Sequence, residues 1–265
     1  MNYNFLKIKK NLKKYVKEGN IIYLESDVFE LLKYSKIKDI KINIFLNQFL
    51  RLLKELIGTN GVIICPSFSY SWALKKKNNI YDVKKTKSKT GIFAEFLRRK
   101  KNSFRTKDPI FSFTIYGKKK EIKRFGNLSN DSFGKGSLFD KINNNNTWLI
   151  SFLIKKFDPT FVHYVEQYFD ENIKRIKYRK KFKLTGLVID YNNNKKKEIY
   201  YTFLRPNNKY IYNENKIKKA LLKKKLLKNI KFKNNNIFLV KANNFFNVGL
   251  EQMKLNNKFF VKKNK

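Results

Sequence analysis

The alternation of apolar and polar positions divides the chain into short, continuous apolar runs and a few amphipathic stretches. "NIIYLES" (20–26) and "TWLISFLI" (147–154) are apolar almost without interruption, as expected of strands covered on both faces. "GVIICPSFSYSW" (61–72) begins the same way and breaks at Pro66, after which Ser67, Ser69 and Ser71 alternate with aromatic residues. Ahead of it, "INIFLNQFLRLLKELIG" (42–58) carries apolar positions at helical spacing and ends in glycine, the residue that most easily stops a helix. Strand, helix and strand in that order predict a βαβ unit.

The same reading places a helix at 91–101, a strand at 109–117, and a Gly-containing loop that leads into a short helix at 133–142. "FDPTFVHYVEQYFD" (157–170) reads as a helix over 158–169, with Asp158 as its cap and Pro159 in its first position. Residues 182–204 read as a β-hairpin around an Asn/Lys turn, 213–230 as a basic amphipathic helix, and 236–242 as a further strand. The polar stretch 73–90 reads as a long loop, and loops of that length tend to carry function. Residues 1–17 suggest a basic N-terminal helix, with Phe5, Ile8, Leu12 and Tyr15 or Val16 on one face. The expected fold class is α/β: a single domain over 1–265, with a central mixed sheet flanked by helices and a β-hairpin in the C-terminal third.

Composition changes this picture in two respects. With 42% hydrophobic residues the chain can bury a core, which excludes disorder despite 61 Lys and Arg against 20 Asp and Glu. The net charge of +41 points first to a polyanionic partner, and interleaved aromatics add support for a basic nucleic-acid-binding module. Against that, the lysines are spread along the chain, no nucleic-acid motif occurs, and Lys, Asn, Ile, Phe and Tyr are enriched together, as A/T-rich codons would produce. No specific nucleic acid is therefore expected as a partner. No apolar run is long enough to span a membrane, and the N-terminus lacks the apolar core of a signal peptide. A cytoplasmic protein is expected, with at most weak attraction of the N-terminal helix to anionic lipid.

Candidate chemistry is sparse. Cys65, the only cysteine, excludes a disulfide within the chain and reads as a small buried residue. His163 is the only histidine, too few for most zinc sites, and no metal is expected. No G-x-S-x-G elbow is present for a serine hydrolase. On a helical projection Phe161, Val162, Val165, Tyr168 and Phe169 share an apolar arc, while His163, Glu166 and Asp170 fall together on the polar side. A carboxylate three residues from a histidine can orient the ring and stabilise its protonated form, which suits a general base. The competing reading is a solvated surface pair.

Context favours the base. "YDVKKTKSKTGIFAEFLRRKKNSFRTKDP" (81–109) resembles a signature of the aminoglycoside 3-N-acetyltransferase family through Tyr81, Asp82, Thr86, Ser88, Gly91, Glu95, Arg98, Arg99, Arg105, Thr106 and Pro109. "GTNGVIICPSFSYSW" (58–72), "FGKGSLFDKI" (133–142) and "DPTFVHYVEQ" (158–167) are similar to three further blocks of that family, in the family's order. The opening strand at 18–31 is also similar, so the resemblance runs from about 18 to 170 and fades over the C-terminal third. It implies an acetyl-CoA-dependent N-acetyltransferase that acts on an amino group of an amino sugar, by direct transfer, with His163 as base and Glu166 orienting it. By resemblance Ser26, Ser67, Arg105, Ser112, Gly136 and Ser137 would contact CoA, Gly134 and Gly136 allowing close backbone approach, and Tyr70, Asp82, Asp108 and Asp170 would face the acceptor.

The chain also departs from the family pattern. Asp108 stands before Pro109 where a histidine is usual, and Glu25-Ser26-Asp27 replaces His-Ser-Ser. Lys87 and Leu138 replace prolines. These changes imply an altered acceptor, or an inactive member of the family. The positive excess would repel a polycationic aminoglycoside, so an anionic or neutral amino sugar, such as a nucleotide-linked or surface-polysaccharide sugar, is the expected acceptor.

Overall fold

The computed structural model describes residues 3–33, 41–72, 79–154 and 157–264. The N-terminal half contains α1 (Tyr3–Leu12), β1 (Ile21–Ser26), α2 (Val28–Lys33), α3 (Ile42–Ile57), β2 (Val62–Pro66) and β3 (Ile80–Asp82). It continues through α4 (Ile92–Arg98), β4 (Ser103–Arg105), β5 (Phe113–Tyr116), α5 (Lys119–Lys123), α6 (Leu138–Ile142) and β6 (Thr147–Phe152). After α7 (Val162–Asn172) come β7 (Lys180–Ile189), β8 (Lys195–Leu204), β9 (Tyr210–Tyr212), α8 (Glu214–Lys223), β10 (Lys228–Phe232), β11 (Asn235–Lys241), α9 (Ala242–Leu255) and β12 (Val261–Lys263).

A seven-stranded mixed sheet in the order β10-β11-β6-β1-β2-β5-β4 forms the centre. Its middle strands β6, β1 and β2 are parallel, and β11 and β5 join them antiparallel on either side. Alternation along the middle strands divides two cores. Ile22, Leu24, Ile63, Cys65, Ile150 and Phe152 face a layer that includes α1, α3 and α4, whereas Tyr23, Val62, Ile64 and Leu149 face α6, α7 and α9. Burial on both faces explains the unbroken apolar runs of β1, β2 and β6.

The predicted βαβ unit is present, with α3 crossing from β1 to β2 and ending at Gly58 in the left-handed region, at φ 64°. The apolar face of α1 is used inside the fold. Phe5 packs on Phe45 at a ring separation of 5.3 Å, and Lys9 pairs with Glu55, so Phe5, Ile8 and Leu12 are buried against the rest of the fold. Among the described residues no helix is long and apolar enough to cross a membrane, and no cluster of His, Cys, Asp and Glu suits a metal ion.

The hairpin β7/β8 forms as expected, and β3, which lies within the stretch read as a loop, adds to it in parallel. Residues 73–78 of that stretch lie outside the described residues. The helix read over 213–230 ends at Lys223, and its last residues become β10. The helix containing His163 starts at Val162 rather than Asp158. Residues 159–161 form a tight turn, with the Val162 and His163 N–H groups donating to the Pro159 and Thr160 carbonyls at 3.0 and 3.1 Å.

Phe49 lies at the centre of one core, with Phe93 and Phe152 at ring separations of 4.8 and 4.9 Å. Phe49→Ala is expected to cost about 3–5 kcal/mol in urea unfolding. Ile44→Ala, on the half-exposed face of the same helix, should stay within about 0.5 kcal/mol.

Candidate active site

The three parallel strands end at Ser26, Pro66 and Phe152, and open α/β sheets bind ligands at the carboxyl ends of such strands. A small cavity of about 210 Å³ opens there, lined by Glu25, Ser26, Cys65, Phe68, Thr90 and Thr160 among others. Glu25 accepts hydrogen bonds from Tyr23 Oη and from the Thr160 N–H, both at 2.9 Å, through the same carboxylate oxygen. It thereby pins the turn from which α7 starts. Loss of water around Glu25 pushes its carboxyl up from 4.5 to about 7, although both hydrogen bonds act in the opposite direction.

In the first turn of α7, His163 Nδ1 lies 3.1 Å from Glu166 Oε2. This is the geometry the helical projection predicts, but that side of α7 is not a solvated face. Glu166 is completely buried and Asp170 nearly so. The hairpin covers them, and it brings in Arg179, which sequence reasoning missed. Arg179 Nε approaches Glu166 Oε2 to 2.6 Å, its Nη2 lies 2.7 Å from His163 Nδ1, and its Nη1 donates to the Phe203 carbonyl at 3.0 Å. The Nε contact is an ion pair without hydrogen-bond alignment.

Burial by itself would raise the Glu166 carboxyl, but Arg179 and His163 outweigh it and hold the group below its ordinary value. Burial and the Arg179 charge push His163 down to about 4, although Glu166 opposes them. The imidazole is therefore neutral at pH 7. Its two Nδ1 contacts belong to different tautomers. With the proton on Nδ1 the ring donates to Glu166 and leaves a lone pair on Nε2; with Nδ1 bare, Arg179 donates to it and Nε2 carries the proton. Among the described residues nothing hydrogen-bonds Nε2, and 19% of the side chain stays exposed, which leaves a path to a substrate. The edge of Phe133, from the Gly-containing loop, packs on the ring at 5.3 Å.

The remaining predicted residues form three groups. Ser67, Arg105 and Ser112 make one buried knot. Arg105 Nη2 donates to the Ser67 carbonyl at 2.7 Å, its Nε to Ser112 Oγ at 3.2 Å, and its Nη1 to the Thr86 carbonyl. Arg105 is 1% exposed and stacks over Tyr81, so its donors serve the scaffold instead of reaching toward a phosphate. Most of the signature is likewise scaffold. Glu95 receives Arg98, Arg99 and the Ser88 N–H, while Asp82 Oδ1 caps the backbone of Lys84 and Lys85.

The second group lines a cleft of about 550 Å³ between β4–β5, the 125–138 loop and β8. Asp108 lies here and accepts from the Ile110 and Phe111 N–H groups, both at 2.8 Å; burial raises its carboxyl. Ser137 caps α6, and Gly136 takes φ 77° ahead of it. At Gly134 a Cβ would meet an Asp131 oxygen at 2.5 Å, so a larger residue there would have to displace the Asp131 carboxylate. The third group is dispersed. Tyr70, at φ 47° and 44% exposed, packs on Phe68 and Phe111, while Asp170 is committed to Arg175 at 2.6 Å and the Ile176 N–H at 2.7 Å.

Comparison with known proteins bears on the family and the fold. The sequence model of one family, aminoglycoside 3-N-acetyltransferase, matches residues 34–254, well into the C-terminal third where the motif resemblance fades. Among curated proteins, none matches the sequence. Solved structures share the fold at low identity. A binary complex of AAC-IIIb with CoASH aligns at TM-score 0.74 and 14% identity, over 98% of either chain. The aminoglycoside acetyltransferase AAC(3)-IVa apoenzyme aligns at 0.70 and 12%, over 98% of this chain and 92% of that one. The YokD protein from Bacillus subtilis aligns at 0.71 and 17%, over 96% and 94%.

The Glu25 carboxyl gives a testable pH dependence. An acid raised on folding binds its proton more tightly in the folded chain, so its contribution to stability falls as pH climbs from 4.5 to about 7. Glu25→Gln should therefore melt higher relative to the parent at pH 8 than at pH 5, as measured by thermal unfolding across that range.

Proposed function

The chain belongs to the aminoglycoside 3-N-acetyltransferase family, and from that premise we propose that it transfers an acetyl group from acetyl-CoA to an amino group of an amino sugar, with His163 as general base. The observation that carries the reading is His163 Nδ1 set 3.1 Å from the buried Glu166, with Nε2 free of protein partners among the described residues.

In the Nδ1–H tautomer Glu166 holds the ring, and Nε2 takes the proton from the acceptor amine as its nitrogen attacks the thioester carbonyl. The C–N bond forms, the tetrahedral intermediate collapses, the C–S bond breaks and CoA leaves as the thiolate. No covalent enzyme intermediate is needed. Holding the amine and the thioester together supplies much of the rate, and backbone N–H groups or hydroxyls stabilise the oxyanion. The 550 Å³ cleft suits CoA, because Lys107, Lys196 and Lys197 along it supply cations for phosphates in place of the buried Arg105. Glu166 stabilises the imidazolium as it forms, while burial and the Arg179 charge keep the resting imidazole neutral.

A structure of AAC-IIIb with CoASH and another of AAC-VIa with sisomicin support a CoA-dependent reaction on an amine-bearing sugar. A cytoplasmic location follows from the availability of acetyl-CoA there.

His163→Ala should lower kcat by about 10²–10⁴-fold while acetyl-CoA still raises the melting temperature. An unchanged kcat would remove His163 from the mechanism. Arg179→Gln removes a charge that depresses the imidazole, so the acid limb of kcat/KM should move up from near pH 4. A limb that stays in place would show that Arg179 does not tune the base.

A further inference from the structure

Glu25 stands at the candidate site without a task in the steps above. It follows Tyr23 by two residues on β1, so it projects from the sheet face on which α7 packs. Tyr23 Oη and the Thr160 N–H both close on its Oε1 at 2.9 Å. Among the described residues no hydrogen bond reaches Oε2 and no cation pairs with the carboxyl, which lines the 210 Å³ cavity at the strand ends. The Thr160 carbonyl in turn accepts the His163 N–H at 3.1 Å, so one residue joins Glu25 to the turn that carries the imidazole. Tyr212 is a second link. Its hydroxyl is buried without a partner among the described residues, and after burial the charges of Asp158, Glu166, Glu214 and Glu25 raise it. Glu25 and His163 are thus built alike: one polar atom is held by the protein and the other is left free.

The free atoms suit two different proton transfers. An aliphatic amine is an ammonium at pH 7, and it cannot attack a thioester until a proton leaves. His163, pushed down to about 4, is a poor acceptor for an ammonium that titrates at about 8 or higher. Glu25, pushed up to about 7 by loss of water, lies within about one unit of such an amine. The groups that face Glu25 are Tyr23 on β1, Cys65 on β2, Tyr70 after it, Asp158 and Thr160 before α7, and Tyr212 on β9, while α4 adds only Ala94 to the cavity. None is a cation. A carboxylate in that setting draws an ammonium locally, although the chain as a whole carries a positive excess.

Resting on the transferase reading above, we propose that Glu25 is a second proton acceptor: its Oε2 receives the acceptor's ammonium, takes the first proton and leaves the free amine to His163. An N–H bond of the ammonium breaks, an O–H bond forms on Oε2, and the nitrogen keeps the electron pair. That pair then forms the C–N bond while His163 Nε2 takes the second proton. CoA leaves as the thiolate, and the Glu25 carboxyl returns its proton to solvent.

The test measures acetyl transfer from acetyl-CoA to sisomicin, to glucosamine and to hydroxylamine, an amine already neutral at pH 7, between pH 5 and pH 9. The proteins are the parent, Glu25→Gln and Tyr23→Phe. The Gln amide oxygen can still accept from Tyr23 and Thr160, so acetyl-CoA should raise the melting temperature of parent and variant alike. In the parent, kcat/KM for the two sugars should level off at about pH 7. In Glu25→Gln it should fall about 10- to 100-fold at pH 7, where free amine is scarce, and level off only at the amine's own pKa. The loss with hydroxylamine should be about tenfold smaller. Tyr23→Phe keeps the carboxylate and removes a hydrogen bond that lowers it, so its limb should move above 7. Equal losses with all three amines would make Glu25 a structural part only, and would overturn the proposal. A limb that Glu25→Gln leaves in place, or transfer by the parent to hydroxylamine alone, would also overturn it while the transferase reading stands. Transfer by the parent to none of the three would overturn that reading and the proposal with it.

Discussion

A carboxylate removed from water must find a counter-charge within the protein, and in this chain that requirement joins the two halves of the fold. Glu166 sits on α7 in the core beneath the hairpin, with no water to stabilise its charge. Arg179, just before β7, answers it with a guanidinium that also reaches His163 and the Phe203 carbonyl on β8. A planar guanidinium spreads its donors over three nitrogens and so reaches three separated partners, whereas a lysine would present a single ammonium. The hairpin is thus part of the site. Without it α7 would present His163 and Glu166 to solvent as an ordinary surface pair.

The central sheet supplies the other boundary condition. Its parallel strands end together, with Glu25 at the end of β1, and the segments leaving the other two carry the Ser67 knot and the turn into α7. Side chains from different segments cross-link this end, so the start of α7 is fixed from β1, although 135 residues separate Glu25 from Thr160. The Gly-containing loop is fixed in a similar way. Asp131 accepts Gln167 from α7 and Lys181 from β7, and the Tyr201 backbone pairs with residues 130 and 132. Phe133 is thereby held against the imidazole.

What could be read from the sequence follows from which forces are local. The middle strands, α3 and the hairpin were legible because burial on two faces, helical periodicity and turn chemistry each leave a short-range pattern. The start of α7 was misplaced because Asp158 and Pro159 are good local signals that a distant carboxylate overrides. α9 escaped notice because "ANNFFNVGLEQMKL" holds asparagines and a glycine, yet Gly249 is where Val165 and Phe260 press to within 3.0 Å of where a Cβ would stand. The His163–Glu166 pair was legible as spacing on one helix. Arg179 was not, since it is one basic residue among 61 and no sequence period links 179 to 163. Motif resemblance located Arg105 but gave no sign of its burial, and burial determines what its donors can meet.

Glu25 and Glu166 show how far environment, rather than residue type, sets the chemistry here. Both are glutamates in contact with the segment 160–166, and burial pushes both carboxyls upward. Glu166 has Arg179 beside it and ends below its ordinary value, ionised throughout the physiological range. Glu25 has only neutral donors, Tyr23 and Thr160, and ends near 7, where a small change in surroundings alters its charge. Two like groups driven apart in this way are suited to different tasks. The permanently charged carboxylate can orient a base, while the other stands at the ends of the parallel strands, where it can gain or lose a proton near neutral pH.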